Sequence, residues 1–78
     1  MKTKSSRVFD YSKIRARIVE LGITQEAFAA EMGLSNKSVG LKLNNKVPWT
    51  QYDIDKALEV LGLSVADIPT YFFAVKVQ

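Results

Sequence analysis

Lysines, arginines, amides and hydroxyls are the side chains with chemistry to offer in this 78-residue sequence, and its charge is unevenly placed. Up to Lys46, nine bases (Lys2, Lys4, Arg7, Lys13, Arg15, Arg17, Lys37, Lys42, Lys46) face four acids (Asp10, Glu20, Glu26, Glu31), a net of +5. Beyond it, Lys56 and Lys76 face Asp53, Asp55, Glu59 and Asp67, a net of −2. The first half therefore suits a polyanion and the second does not. The competing reading is two solvated faces of unlike charge, which needs no ligand. The sequence has no histidine and no cysteine, so it lacks the commonest general base, the commonest metal ligand and any thiolate or disulfide. With its acids scattered, no base and nucleophile fall together. The expectation is a binding protein, not an enzyme, with no metal, cofactor or small-molecule substrate.

The stretch SNKSVGLKLNN, residues 35–45, concentrates these polar groups and has two readings. Val39, Leu41 and Leu43 alternate with Gly40, Lys42 and Asn44, as in a half-buried strand. In a helix, Val39 and Leu43 share one face, while Leu41 lies about 200° round from Val39, on the outside with Lys37.

The elements that must position this stretch decide between the two. A helix N-terminus is marked by a capping Ser, Thr, Asp or Asn, with apolar residues on either side of it that clasp together. The pattern recurs five times, with caps at Asp10, Thr24, Ser35, Thr50 and Ser64 and apolar pairs Phe9/Ile14, Ile23/Phe28, Leu34/Val39, Trp49/Ile54 and Leu63/Ile68. Thr50 with Asp53 and Ser64 with Asp67 resemble capping boxes. Gly22, Gly33 and Gly62 fall where left-handed helix ends belong. Helices are expected over about residues 11–21, 25–32, 36–44, 51–61 and 65–68, so residues 35–45 read as helix. Gly40 weakens that helix by about 1 kcal/mol against alanine, either as simple tolerance or because something approaches it closely.

The expected fold is all-α: a compact five-helix domain spanning residues 1–78. A flexible basic tail is expected at about residues 1–8, and an extended tail at about 70–78, where Pro69 discourages further helix and TYFFAVKV is rich in aromatic and β-branched residues. Tyr71, Phe72 and Phe73 are too apolar to remain in water, so they either complete the core or form a dimer seam. No apolar run reaches the roughly 20 residues of a membrane span, and MKTKSSRVFD lacks a signal-peptide core. A cytoplasmic protein without membrane contact is expected.

Two short helices joined by a tight turn make a helix-turn-helix over about residues 24–44. From Thr24 to Lys46, TQEAFAAEMGLSNKSVGLKLNNK resembles the Cro and lambda-repressor class of regulators, often called the XRE class, through Gln25, Phe28-Ala29, Gly33, Val39 and Asn44 at joint spacing. With its DYSKIRARIVE start and YFFAVKVQ end, the chain looks most like small Cro-like repressors of phages from Gram-positive bacteria. The resemblance implies a lambda-repressor-like fold and a double-stranded DNA operator. It implies base reading by Asn36, Lys37, Ser38 and position 41, and phosphate contacts from Gln25 and Asn44. Lys42 and Lys46 add to the expected phosphate contacts, and Arg15 and Arg17, on the outer side of the first helix, join them because first-helix residues flank the duplex in some relatives.

The chain departs from the class at two places. Asn44-Asn45 replaces the Asn-Gly of many members, so a left-handed asparagine is expected there. Leu41 replaces a polar reader. It would either contact the thymine C5-methyl or pack against a neighbouring loop. Trp49 reads as half of a helix staple more than as a base-stacking ring. The expected function is a sequence-specific, dimeric DNA-binding repressor. The alternative is a protein-interaction module, antitoxin-like or anti-repressor, on the same fold.

Overall fold

The structure is a computed structural model that describes residues 8–76. Its elements are α1 (Ser12–Glu20), α2 (Gln25–Met32), α3 (Asn36–Leu43), α4 (Gln51–Leu61), a 3-10 turn (Val65–Asp67) and α5 (Ile68–Phe72). The fold is all-α, and residues 36–43 are helix. No described helix is long and apolar enough to cross a membrane.

The caps explain the boundaries. Thr24 Oγ1 accepts the Ala27 N–H at 3.0 Å, and Ser35 Oγ accepts that of Ser38 at 3.0 Å. Thr50 and Asp53 form a full capping box, each side chain accepting the other's N–H. The Asp67 carboxylate accepts the Ser64 N–H at 2.9 Å. Asp10 is the exception: α1 begins later than expected, with Tyr11 at the cap position, and the Asp10 carboxylate accepts the Ser12 N–H in a turn before the helix.

Each helix contributes its apolar stripe to one core. Ile14 and Ile18 of α1, Phe28, Ala29 and Met32 of α2, Val39 and Leu43 of α3, and Ala57, Leu58 and Leu61 of α4 are buried with Tyr11 and Phe72. Each large side chain among them contributes about 1.5–3 kcal/mol by leaving water. This burial packs α3 against α2, with Asn36 and Lys37 of α3 exposed.

The C-terminal expectation is corrected in part. Residues 70–72 are helical, because Pro69 lies in the first turn of α5, where its missing N–H leaves no intrahelical bond unmade. Phe72, 2% exposed, enters the chain's own core and meets Trp49 edge-to-face at 5.1 Å. The chain becomes extended only afterwards, where Val75 forms an antiparallel bridge with Phe9. Asp10 N–H donates to Ala74 O at 2.7 Å, and Lys76 N–H donates to Val8 O at 2.9 Å. Val8, expected in a flexible tail, is thus paired, and residues 1–7 lie outside the described residues.

Candidate nucleic-acid interface

Polar groups of the α3 N-terminal turn stand clear of the core because Val39 and Leu43 take the inward positions. Asn36 and Lys37 are exposed, and Ser38 is half-buried. The Ser38 hydroxyl accepts a hydrogen bond from Ser35 Oγ at 3.0 Å, so it is held against its own helix start. Gln25, at the start of α2, donates from Nε2 to Asn36 Oδ1 at 3.1 Å. That link orients the Asn36 amide before any ligand arrives. Gly40 lies beneath the same glutamine, since a Cβ there would sit 3.5 Å from Gln25 Nε2. This is ordinary van der Waals contact, so Gly40 is tolerated at this place, not required by it.

A second cluster sits at the other end of α3. Arg15 donates from Nη2 to Asn44 Oδ1 at 3.1 Å, joining two expected phosphate contacts across α1 and the α3 C-terminus. Lys46 is exposed nearby, and its backbone N–H closes the turn onto Leu41 O at 2.8 Å. Leu41 itself is half-buried, between its two expected placements. Among the described residues, Lys37 and Lys46 have no side-chain hydrogen bond or ion pair, which leaves both ammonium groups available.

Two expected phosphate contacts are corrected. Lys42 is buried, with Nζ 2.7 Å from Asp53 Oδ2 and 3.1 Å from Pro48 O. Its ammonium ties α3 to the α4 N-terminus and cannot also reach solvent. Arg17 points to α4 as well: Nε donates to Leu61 O at 2.9 Å, satisfying a carbonyl at the helix end, and Nη1 lies 3.4 Å from Glu20. Burial raises the Asp53 carboxyl, but the Lys42 and Thr50 hydrogen bonds and the Lys42 charge outweigh it and hold the group below the usual carboxylate range.

Asn45 is a residue whose role the sequence showed only in half. Its φ of 62° is left-handed, as the missing glycine suggested. In addition its side chain brackets Phe9, accepting that residue's N–H and donating to its C=O, both at 2.9 Å. The amide thereby acts as one more backbone unit beside the Val8–Asp10 and Ala74–Lys76 pairing. Trp49 is likewise structural, donating from Nε1 to Lys42 O at 3.2 Å.

Residues 7–75 match the model of a family described as a protein of unknown function, DUF739. The chain belongs to the DUF739 family. No curated protein matches this DUF739 chain. Among solved structures it is similar to the solution structure of the modulator of repression (MOR) of the temperate bacteriophage TP901-1 from Lactococcus lactis. The two are 50% identical, the match covers 90% of this chain and 95% of that one, and the TM-score is 0.75.

Proposed function

We propose that this chain regulates repression in a temperate phage, and that it does so by binding double-stranded operator DNA as a homodimer through a helix-turn-helix made of α2 and α3. The regulatory role rests on the similarity to a phage modulator of repression over nearly the whole length of both chains. The DNA reading rests on one observation: Asn36 and Lys37 project from the start of α3, with the Asn36 amide already oriented by Gln25. Asparagine pairs with adenine and lysine with guanine in the major groove, and the exposed part of Leu41 suits a thymine methyl. Ser38 adds a hydroxyl on the same turn. Gln25, Arg15, Asn44 and Lys46 supply phosphate contacts that set orientation. No step of this reading requires catalysis.

A specific observation favours a second reading, a protein-interaction module on the same fold. Lys42 and Arg17 are engaged inside the molecule, which leaves fewer cations for phosphate than the sequence suggested. The similar phage protein is also titled a modulator of repression, not a repressor.

Selection from a random DNA pool, followed by salt titration of the best site, separates the two. The DNA reading expects an enriched palindrome and an affinity that falls log-linearly with salt. Lys37→Ala should then cost about 1–3 kcal/mol on the best site and relax one half-site position, while Lys46→Ala weakens all sequences alike. No enrichment, or equal loss on random and selected DNA for Lys37→Ala, would remove the base-reading role and leave the partner-binding module.

A further inference from the structure

A groove of about 520 Å³ opens between α4, the 3-10 turn and α5, and none of its lining residues belongs to the α2–α3 face. Of its apolar lining, Leu58 is buried and Ile54 and Ile68 are half-buried, so these three make the floor, while the exposed Tyr52, Val65 and Phe73 make the sides. The side residues are 85%, 74% and 54% exposed, although each carries a large apolar surface. Scattered exposed apolar residues need no explanation, but three of them converging on an apolar floor mark an interaction site. The core does not require them, since Phe28, Ile14, Val39 and Leu61 are already fully enclosed.

The charge around the groove selects the occupant. Asp55 lines it, and the stretch from α4 to the 3-10 turn also carries Asp53, Glu59 and Asp67 against Lys56. Asp53 is neutralised by Lys42, and Glu59 lies 3.3 Å from Lys56. The Asp67 carboxylate is turned to the Ser64 N–H and hydroxyl. Asp55, which lines the groove, has no cation within ion-pair distance among the described residues. A second copy in a two-fold contact would set Asp55 near its own counterpart, which repels. Residues 1–7, MKTKSSR, have the complementary charge but only one apolar side chain, Met1, too little to cover six apolar lining residues.

We infer that the groove docks a basic amphipathic helix of a partner protein, with apolar side chains at one-turn spacing on the floor and a lysine or arginine beside Asp55. Such a helix matches both the apolar lining and the unpaired Asp55, the combination that gives a helix-in-groove contact its affinity and its register. The inference goes beyond the reading of α3 and does not depend on whether α3 contacts DNA.

The probe is a fluorescein-labelled helical peptide with leucines at three one-turn positions and lysines on its flanks, compared with a twin carrying glutamates in place of the lysines. Titrated into the full chain, the lysine peptide should bind at least about tenfold tighter than its twin, and the difference should shrink with salt. Val65→Glu and Tyr52→Glu, both at exposed positions, should each lower its affinity about tenfold or more without changing the melting temperature. Asp55→Lys should reverse the preference between the peptides. Lys37→Ala should leave peptide binding unchanged, and Val65→Glu should leave DNA binding unchanged, so failure here and failure of the DNA reading are told apart. Equal binding of the two peptides, no binding at millimolar concentration, or peptide-induced amide shifts centred on α3 would overturn the inference. So would sedimentation of a dimer that Val65→Glu disperses, which would give the groove to a second copy.

Discussion

Lys42 joins α3 to the N-terminal turn of α4 through a buried ion pair. Its ammonium lies 2.7 Å from Asp53, and the two side chains are only 9% and 16% exposed. Removing one member of such a pair strands the other, at a cost of about 3 kcal/mol. Lys42→Ala should therefore lower the melting temperature by roughly 10 °C or more, while the salt dependence of any DNA binding stays as in the unchanged protein. The partner titrates. Because Asp53 is held below its ordinary value, its contribution is fully present above the unfolded carboxylate pKa and is lost as pH falls through the lower folded value. Thermal melting followed from neutral pH down to about pH 2 should show this acid loss, and Asp53→Asn should flatten it. An unchanged acid limb in Asp53→Asn would mean that other carboxylates control it.

Elements depend on the turn that follows α3 as much as on the helices. Asn45 stands at φ 62°, where most L-residues are strained by about 1–2 kcal/mol, and its two bonds to Phe9 hold the N-terminal segment in place. Asn45→Ala loses both bonds and keeps the strain, so it should destabilise by about 2–3 kcal/mol. Asn45→Gly loses the bonds but relieves the strain, and should cost clearly less. In both, the Phe9 amide should exchange faster with solvent by NMR. Equal stability of the two variants would show that the backbone conformation at residue 45 contributes nothing to the clamp.

At the scale of the whole molecule, the two ends of the chain close the core together. Phe72 is buried against Trp49, and the residues after it pair with Val8–Asp10. Truncation after Pro69 removes both. Loss of a buried phenylalanine alone costs about 3–5 kcal/mol, against a total stability of about 5–15 kcal/mol for a domain. The truncated chain should melt at least about 15 °C lower or fail to fold, whereas Phe73→Ala, at a half-exposed position, should cost less than about 1 kcal/mol. A truncated protein with unchanged melting would show that the C-terminal segment adds nothing to the core.

Local signals carried the helices. Thr24, Ser35 and Thr50 cap where their spacing to the next apolar residue says they should, because a cap bonds within three residues of itself. Val39 and Leu43 were legible as core by the helical period, and Asn36 and Lys37 as exposed by the same period. The left-handed asparagine was legible too, since the backbone conformation of a helix end depends on adjacent residues. What stayed hidden were pairings between residues far apart in sequence: Lys42 with Asp53, Arg17 with Leu61 O, Asn45 with Phe9, and the residues after Phe72 with those before Tyr11. A lysine on a helix reads as exposed until the fold brings a capping carboxylate beside it, and a proline reads as a helix stop until the chain enters a helix through it. Composition could describe the groove lined by Tyr52, Val65 and Phe73 only as surplus apolar surface. Its shape, and the placing of Asp55 beside that apolar surface, come from α4 meeting the 3-10 turn and α5, which is a fact of tertiary packing.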